Sequence, residues 1–170
     1  MSGKSTVARL IASRSPWIRV VEVDDIKYRR YGTPELCVPE IDFREAGEIA
    51  KEYLVQGYDT IIVEPFCVRE HFDLVMDQVG RAVQSFDVSV ICLSCCLQTS
   101  VARHTGITSE EMIKHQHSHY GSRYRPECEQ VIHTDLLIPE QVAAAVLEVV
   151  PLQIVDLVSG SGSRNKSRAV

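Results

Sequence analysis

The hydrophobic positions of the chain alternate between runs with helical spacing and short runs of β-branched residues. The helical spacing predicts helices over residues 7–13, 42–57, 69–84 and 139–150, with a shorter helix at 97–105 and a polar helix at 108–119. The β-branched runs predict strands over residues 18–23, 60–63, 88–93 and 130–133. The region from Lys27 to Pro39 has no clear period and predicts a short helical turn followed by a loop.

The predicted strands are continuously apolar rather than alternating, which is typical of a parallel sheet covered on both faces. Together with the alternation of helix and strand, this predicts an α/β fold: a three-layer sandwich around one parallel sheet. With 170 residues and 45% hydrophobic content, the chain is long enough for one domain with a substantial core. We expect this domain to cover residues 1–150, followed by a C-terminal extension over 151–170 that is disordered from about residue 159.

Charge and composition narrow the classes of function. A net charge of -5 argues against a general nucleic-acid binder, which needs a basic surface. The chain contains no apolar run long enough to span a membrane and no apolar signal core, so we expect a cytoplasmic protein without membrane partners. The sequence leaves the oligomeric state open. It contains six cysteines, which this setting predicts to be reduced thiols: Cys37, Cys67, Cys92, Cys95, Cys96 and Cys128.

The N-terminus carries the most specific motif. Gly3, Lys4 and Ser5 match the closing part of a phosphate-binding loop, in which backbone N–H groups cradle phosphates, lysine neutralises charge and the hydroxyl binds magnesium. The full signature has a further glycine five positions before Gly3, which would precede Met1. The alternative interpretation is an N-terminal tail with a solvated lysine.

Other polar residues follow the predicted strands. Asp24 and Asp25 end the first predicted strand, Glu64 ends the second, and Arg103 lies beyond the third. In an open parallel sheet, ligands bind where the carboxyl ends of the strands meet. Phosphoryl transfer requires bound phosphates, cations on the transferred group and a base on the acceptor hydroxyl, so this set predicts such a reaction. For Asp25 and Glu64 a purely structural turn or loop role is the alternative.

Two further patterns have simpler explanations. Cys92 and Cys95 form a CxxC motif, but it begins inside a predicted buried strand and has no second CxxC at zinc-finger spacing. The histidines at 115, 117 and 119 recur at every second position of a predicted helix, so they cannot converge on one ion. Neither pattern predicts a metal site.

The motifs together resemble a known family. Ser2–Thr6, Val23–Lys27 and the run from Val90 to Leu93 that leads to Arg103 resemble the small P-loop kinases of the adenylate-kinase-like group. The likeness is to chloramphenicol phosphotransferase-like, zeta-toxin-like and polynucleotide-kinase-like members, and it covers about residues 1 to 150. It implies a P-loop NTPase fold that is N-terminally truncated here, because the strand that normally leads into the phosphate loop has no counterpart.

The resemblance also assigns roles. It implies ATP and Mg²⁺ as cofactors and Ser5 as the magnesium ligand, with phosphates held by Ser2, Gly3, Lys4, Ser5 and Thr6. Asp24 matches the aspartate that takes the proton of the acceptor hydroxyl. Asp25, Lys27 and Glu64 are expected to bind the acceptor, and Lys27 falls where polynucleotide-kinase-like members carry an arginine. Arg103 is expected to belong to a lid over about residues 103–125 that stabilises the transferred phosphate.

The leading functional hypothesis is an ATP-dependent kinase with Lys4, Asp24 and Arg103 as catalytic residues and a small molecule with a hydroxyl group as acceptor. One alternative is a truncated nucleotide-binding domain without turnover. Another is a kinase that acts on nucleic-acid 5′ ends, although the acidic composition speaks against a long nucleic-acid track.

Overall fold

The computed structural model describes residues 3–64, 66, 68–81, 86–103, 109–121, 128, 130–150 and 152. Ser2, residues 104–108 and 122–125 of the predicted lid, and the predicted disordered tail from 159 lie outside the described residues. The helices are α1 (Lys4–Ala12), α2 (Val23–Tyr31), α3 (Pro39–Val55), α4 (Arg69–Gly80), α5 (Leu97–Ala102), α6 (Glu110–Gly121) and α7 (Pro139–Val149). The strands are β1 (Ile18–Glu22), β2 (Asp59–Val63), β3 (Ile91–Ser94) and β4 (Gln130–His133). Among the described helices none is long and apolar enough to cross a membrane.

Two helices begin earlier than the sequence predicts. Helix α1 starts at Lys4, so the residues of the phosphate-loop motif form its first turn. Helix α3 starts at Pro39, where the fixed φ of proline suits a first helical position. The sequence placed the start of this helix at residue 42, three residues too late. Asp42 lies inside the helix, is buried, and its Oδ2 accepts a hydrogen bond of 2.8 Å from the Val38 backbone N–H.

Helix α2 begins at Val23, four residues before the short helical turn that the sequence predicts from Lys27, and ends at Tyr31. Strand β1 ends at Glu22, and Asp24 and Asp25 lie in the first turn of α2 rather than at the end of a strand. Carboxylates are favourable there because the N-terminal end of a helix carries partial positive charge. Gly32 ends the helix with a left-handed φ of 75°, a conformation that glycine adopts without strain.

The strands form two separate parallel pairs. In one pair Ile18 lies opposite Asp59 and Glu22 opposite Val63, and in the other Ile91 lies opposite Gln130. The single parallel sheet predicted from the sequence does not occur among the described strands. Instead, a cavity of about 560 Å³ lies between β2 and β3.

Helices cover both faces of β2. Ile61 packs in a cluster with residues of α1 and α7, whereas its neighbour Ile62 packs against residues of α3 and α4. Successive strand residues point to opposite faces, so α1 and α7 lie on one side of β2 and α3 and α4 on the other. The first cluster also takes in Ile91, Leu93 and Ile132, so it joins the two strand pairs.

One expectation about the cysteines is corrected. The structure pairs Cys92 of β3 with Cys128 in a disulfide whose Cα atoms are 6.0 Å apart, whereas the sequence predicted reduced thiols throughout. The two residues meet because Cys128 lies just before β4, the partner of β3. Cys37, Cys95 and Cys96 form no disulfide with another described residue, and Cys67 lies outside the described residues.

Candidate functional site

The N-terminal end of α1 has the features of an anion site. Gly3 precedes the helix with φ 84° and ψ 18°, a left-handed conformation that favours glycine. No side chain of the described residues caps this end, and its first turn contains no acidic residue. The Gly3 carbonyl accepts the Val7 N–H at 3.0 Å, which leaves the N–H groups of the first turn without a partner inside the helix. Such a helix end attracts anions.

A buried ion pair lies at the same edge of the β1–β2 pair. Lys27 Nζ donates to Glu64 Oε1 at 3.1 Å and to Asp24 Oδ1 at 3.2 Å. The side chains of Lys27 and Glu64 are buried, whereas that of Asp24 is 61% exposed. The three residues meet because α2 follows β1 directly and Glu64 follows β2, so parallel pairing brings both strand ends to one edge.

Burial sets the electrostatics of this pair. Burial alone lowers the pKa of Lys27, but the attraction of Glu64 and Asp24 and their hydrogen bonds outweigh it, so the pKa is raised and the ammonium stays protonated. For Glu64, burial raises the pKa, and the positive charges of Lys27 and Lys4 offset only part of that effect. Glu64 Oε2 is buried and has no hydrogen-bond partner among the described residues. The influence of Lys4 on Glu64 links the ion pair to the end of α1.

Aromatic side chains form a wall beside Lys27. The rings of Phe43 and His71 stack with their centroids 4.4 Å apart, and the Phe66 ring lies 5.9 Å from that of Phe43. Lys27 Nζ lies 5.8 Å from the centre of the Phe43 ring. Burial lowers the pKa of His71, and the charge of Lys27 lowers it further. Burial also raises the pKa of the nearby Cys37 thiol to about 11, so this thiol is protonated at neutral pH.

Sequence reasoning did not name Phe43 or His71 as site residues, and it named Cys37 only as one of six reduced thiols. Their spacing along the chain carries no signal, because α2, α3 and α4 bring them together only through tertiary packing. The one available hint was that Phe43 lies on the apolar stripe of α3.

Asp25 and Lys27 contact different groups. The Asp25 carboxylate is exposed and lies 3.9 Å from the Arg9 guanidinium of α1, which also binds Glu22 at 2.6 Å. Lys27 points inward and uses its ammonium on the two carboxylates. Ser5 and Thr6 lie in the first turn of α1, and Ser2 is outside the described residues.

Arg103 lies at the end of α5 and contacts the loop after β4. Its guanidinium donates to Thr134 Oγ1 at 3.0 Å, to the Thr134 carbonyl oxygen, and to the Leu137 carbonyl oxygen at 3.3 Å. Nearby, Asp135 Oδ1 accepts the Cys96 backbone N–H at 2.8 Å. These bonds join the loops that follow β3 and β4. The guanidinium therefore contacts this loop and not the group formed by Lys27, Asp24 and Glu64.

Comparison with known proteins gives information on the fold. No protein-family model matches the chain, and no curated protein matches its sequence. Among solved structures, an unliganded sugar kinase from Janibacter sp. HTCC2649 is similar, with a TM-score of 0.60 and 17% identity over 86% of this chain and 87% of that one. Shikimate kinase from Aquifex aeolicus VF5 is also similar, with a TM-score of 0.51 and 20% identity over 86% of this chain and 88% of that one. The chain thus has an α/β fold with parallel strands that is similar to the fold of these two kinases.

Proposed function

We propose that this protein is an ATP-dependent phosphotransferase that transfers a γ-phosphate to a hydroxyl group of a small molecule. The observation that carries the proposal is the uncapped, glycine-led end of α1 at the edge where Asp24, Lys27 and Glu64 meet. This juxtaposition combines an anion site with an exposed carboxylate next to it. The similarity to a sugar kinase and a shikimate kinase supports a small hydroxylated acceptor, such as a sugar or a cyclic hydroxy acid.

The residues at the end of α1 suit ATP and Mg²⁺. The unpartnered N–H groups of the first turn and the Lys4 ammonium would hold the phosphates, together with Gly3, Ser2 and Thr6. The Ser5 hydroxyl would bind the magnesium ion, which neutralises phosphate charge when the nucleotide is bound. The absence of acidic residues in this turn favours anionic ligands, because a carboxylate there would repel them.

In this proposal Asp24 is the base. Its carboxylate is exposed enough to reach an acceptor hydroxyl, and the hydrogen bond from Lys27 fixes its position. Lys27 and Glu64 form the floor of the acceptor site, with the ring of Phe43 beside them. Asp25 borders the entrance near Arg9. Arg103 would complete the site when the lid over about residues 103–125 closes. For this, its guanidinium would release its hydrogen bond to Thr134 and bind the transferred phosphate instead.

The test separates nucleotide binding from transfer. We expect Mg²⁺–ATP at 100 times its Kd to stabilise the chain by about 2.7 kcal/mol, read as a rise in Tm. Lys4→Ala should abolish the rise, whereas Lys51→Ala, in an ion pair with Glu48 on α3, should keep it. Asp24→Asn should still bind the nucleotide but lose phosphate transfer to a panel of sugars and cyclic hydroxy acids. Equal nucleotide binding by Lys4→Ala and the parent chain would contradict the proposal.

Binding without turnover is the second candidate, and one observation favours it. The Arg103 guanidinium donates three hydrogen bonds to Thr134 and Leu137. It would have to break all three in order to bind the transferred phosphate. If this candidate is correct, Mg²⁺–ATP raises Tm in both the parent chain and Asp24→Asn, and neither transfers phosphate to any acceptor in the panel.

A further inference from the structure

The acceptor side of the candidate site contains a buried oxygen atom that lacks a hydrogen-bond donor. Glu64 accepts a hydrogen bond from Lys27 Nζ at 3.1 Å through its Oε1 atom. Its Oε2 atom is buried and has no hydrogen-bond partner among the described residues, and the side chain as a whole is 6% exposed. A buried carboxylate oxygen without a donor is costly. This oxygen therefore points to a donor group that the described residues do not supply.

Glu64 borders the cavity between β2 and β3. The cavity has a volume of about 560 Å³, which is within the range of small-molecule sites. Lys4, Glu64 and Phe66 are among the residues that line it. The terminal torsion of a glutamate is broad, so a small rotation turns Oε2 toward the cavity. Because Phe66 also belongs to the aromatic wall beside Lys27, this side of the cavity adjoins the acceptor site.

Two carboxylates share one ammonium at this place. Asp24 and Glu64 both pair with Lys27, at 3.2 and 3.1 Å from the same nitrogen. Their bonded oxygens therefore lie no more than about 6 Å apart, within reach of two groups of one small molecule. The proposed function assigns the neighbouring Lys4 to the phosphates of the nucleotide. One negative charge is left in excess where the acceptor binds, and it attracts a positive group and repels a negative one.

Cations on the neighbouring helices are already engaged. Arg9 of α1 lies between two carboxylates, Arg30 of α2 pairs with two more, and Arg69 of α4 pairs with one. Burial and the charge of Lys27 lower the pKa of His71, so the imidazole in the aromatic wall is neutral at neutral pH. These four residues therefore do not offer an uncompensated positive charge to an acceptor carboxylate.

From these observations we infer that the acceptor is an amino sugar or amino alcohol, whose ammonium bonds to Glu64 while its hydroxyl faces Asp24. The inference rests on the proposed phosphotransferase function and narrows its acceptor to hydroxylated molecules that carry an amino group. The ammonium gives Glu64 Oε2 the hydrogen bond that it lacks, and it balances the excess negative charge. A hydroxyl on a neighbouring carbon atom then lies close to Asp24.

Other hydroxylated acceptors fit the same group less well. A neutral polyol can donate a hydrogen bond to Glu64, but it leaves the excess negative charge uncompensated. A hydroxy acid brings a third carboxylate next to Asp24 and Glu64. Hydrogen bonds between charged groups are roughly twice as strong as neutral ones, so the expected order of affinity is amine, neutral polyol, acid.

Binding of matched acceptors to the full chain tests this order without nucleotide. One set is glucosamine, glucose and glucuronate, and the other is ethanolamine, ethylene glycol and glycolate. Calorimetry is done at a pH of about 6.5, where the amino groups are protonated. In at least one set the amine should bind with a Kd about tenfold lower than that of the neutral member, and the acid should bind most weakly. Equal or weaker binding of the amine, or no binding in either set, would overturn the inference.

A pair of variants assigns the preference to Glu64. Glu64→Gln keeps the shape of the side chain but removes its charge, so the Kd values of the amine and the neutral member should become equal within about twofold. The matched control is Glu48→Gln on α3, which makes the same change in net charge at an exposed ion pair and should keep the tenfold difference. An unchanged preference in Glu64→Gln would overturn the assignment. If this variant fails to fold, the order of affinities in the parent chain decides.

The result is distinguishable from a failure of the proposed function. If the chain binds Mg²⁺–ATP and transfers phosphate to glucose or glucuronate but not to glucosamine, the proposed function stands and the amine preference is wrong. If Mg²⁺–ATP neither raises Tm nor supports transfer, the proposed function fails even where the amines bind. Amine binding that is lost in Glu64→Gln, together with transfer to an amine in the parent chain, supports both.

Discussion

Lys27 is buried between two acidic side chains, and its ammonium compensates the buried charge of Glu64. Lys27→Ala would leave Glu64 in a low-dielectric site without a partner, and a buried charge of this kind is costly. We therefore expect a loss of about 3 kcal/mol in the free energy of unfolding, measured by urea titration at neutral pH.

Two further variants isolate the cause. Lys114→Ala removes an exposed ion pair with Glu110 on α6 and should change stability by less than about 0.5 kcal/mol. The double variant Lys27→Met/Glu64→Leu replaces both buried charges by apolar groups and should recover most of the loss. If Lys27→Ala and Lys114→Ala reduce the free energy of unfolding equally, the Lys27 ammonium does not stabilise the buried charge of Glu64.

The lowered pKa of Asp135 predicts that the stability of the fold depends on pH in the acidic range. Hydrogen bonds from the Cys96 backbone N–H and from the side chains of Thr99 and Cys96 lower the pKa of this carboxyl from 3.8 to about 2. A lowered pKa means that the carboxylate stabilises the folded state above about pH 3.8 and that this contribution is lost as the pH falls toward 2. Asp135→Asn should therefore have a lower Tm than the parent chain at pH 5 to 7, and the difference should shrink between pH 4 and 2. A constant difference across this range would contradict the assignment.

At the scale of elements, the contact between α3 and α4 depends on one glycine. A Cβ atom added to Gly47 would lie 2.7 Å from the Val75 carbonyl oxygen and 2.8 Å from Gln78 Cβ. The first of these atoms belongs to the backbone of α4, so the helices would have to move apart. Gly47→Ala should thus destabilise the fold by about 1–3 kcal/mol despite the higher helix propensity of alanine.

Gly80 provides the matched control for this prediction. It is the last residue of α4, and a Cβ atom there would meet nothing within 4 Å. Gly80→Ala should leave stability unchanged or raise it by up to about 1 kcal/mol, because only propensity acts. Thermal unfolding of both variants checks the pair. A stabilising effect of Gly47→Ala would show that the two helices pack less closely than the structure indicates.

Local signals predicted the elements better than their boundaries or pairing. The β-branched run of β4 and the proline that opens α7 gave both elements correctly, because these features act within a few residues. The start of helix α2 was predicted too late because Val23 continues the apolar run of β1, and no local signal marks where the strand ends. The separation of the strands into two pairs has no local signal, since pairing depends on residues far apart in the chain.

The same distinction applies to the candidate site. The sequence identified Lys4, Asp24 and Glu64 because each follows or begins a regular element. It predicted that Lys27 binds the acceptor. In the structure the Lys27 ammonium donates a hydrogen bond to Glu64, 37 residues away. It placed Arg103 in a lid, and the structure shows its contacts with Thr134, 31 residues away. Such contacts arise from the packing of distant elements, which the spacing of residues does not encode.

At the scale of the whole molecule, one hydrophobic cluster holds the two strand pairs together. Ile11 of α1 is buried in this cluster, which contains Ile18 and Ile61 from one pair and Ile91 and Ile132 from the other. Loss of packing at Ile11 therefore weakens both halves at once. We expect Ile11→Ala to reduce the free energy of unfolding by about 2–5 kcal/mol. The unfolding should remain one cooperative transition.

Two probes can establish whether the halves unfold together. Trp17, the one tryptophan of the chain, lies just before β1 with its ring 5.9 Å from that of Tyr58, so its fluorescence reports on the β1–β2 side. Far-UV circular dichroism reports on all helices. In Ile11→Ala both signals should shift to the same lower urea midpoint. Val55→Ala, on the exposed face of α3, should change the free energy of unfolding measured by either signal by no more than about 0.5 kcal/mol. If the fluorescence midpoint moved without the circular dichroism midpoint, the β1–β2 pair would be unfolding on its own, and the shared cluster would not couple it to the β3–β4 pair.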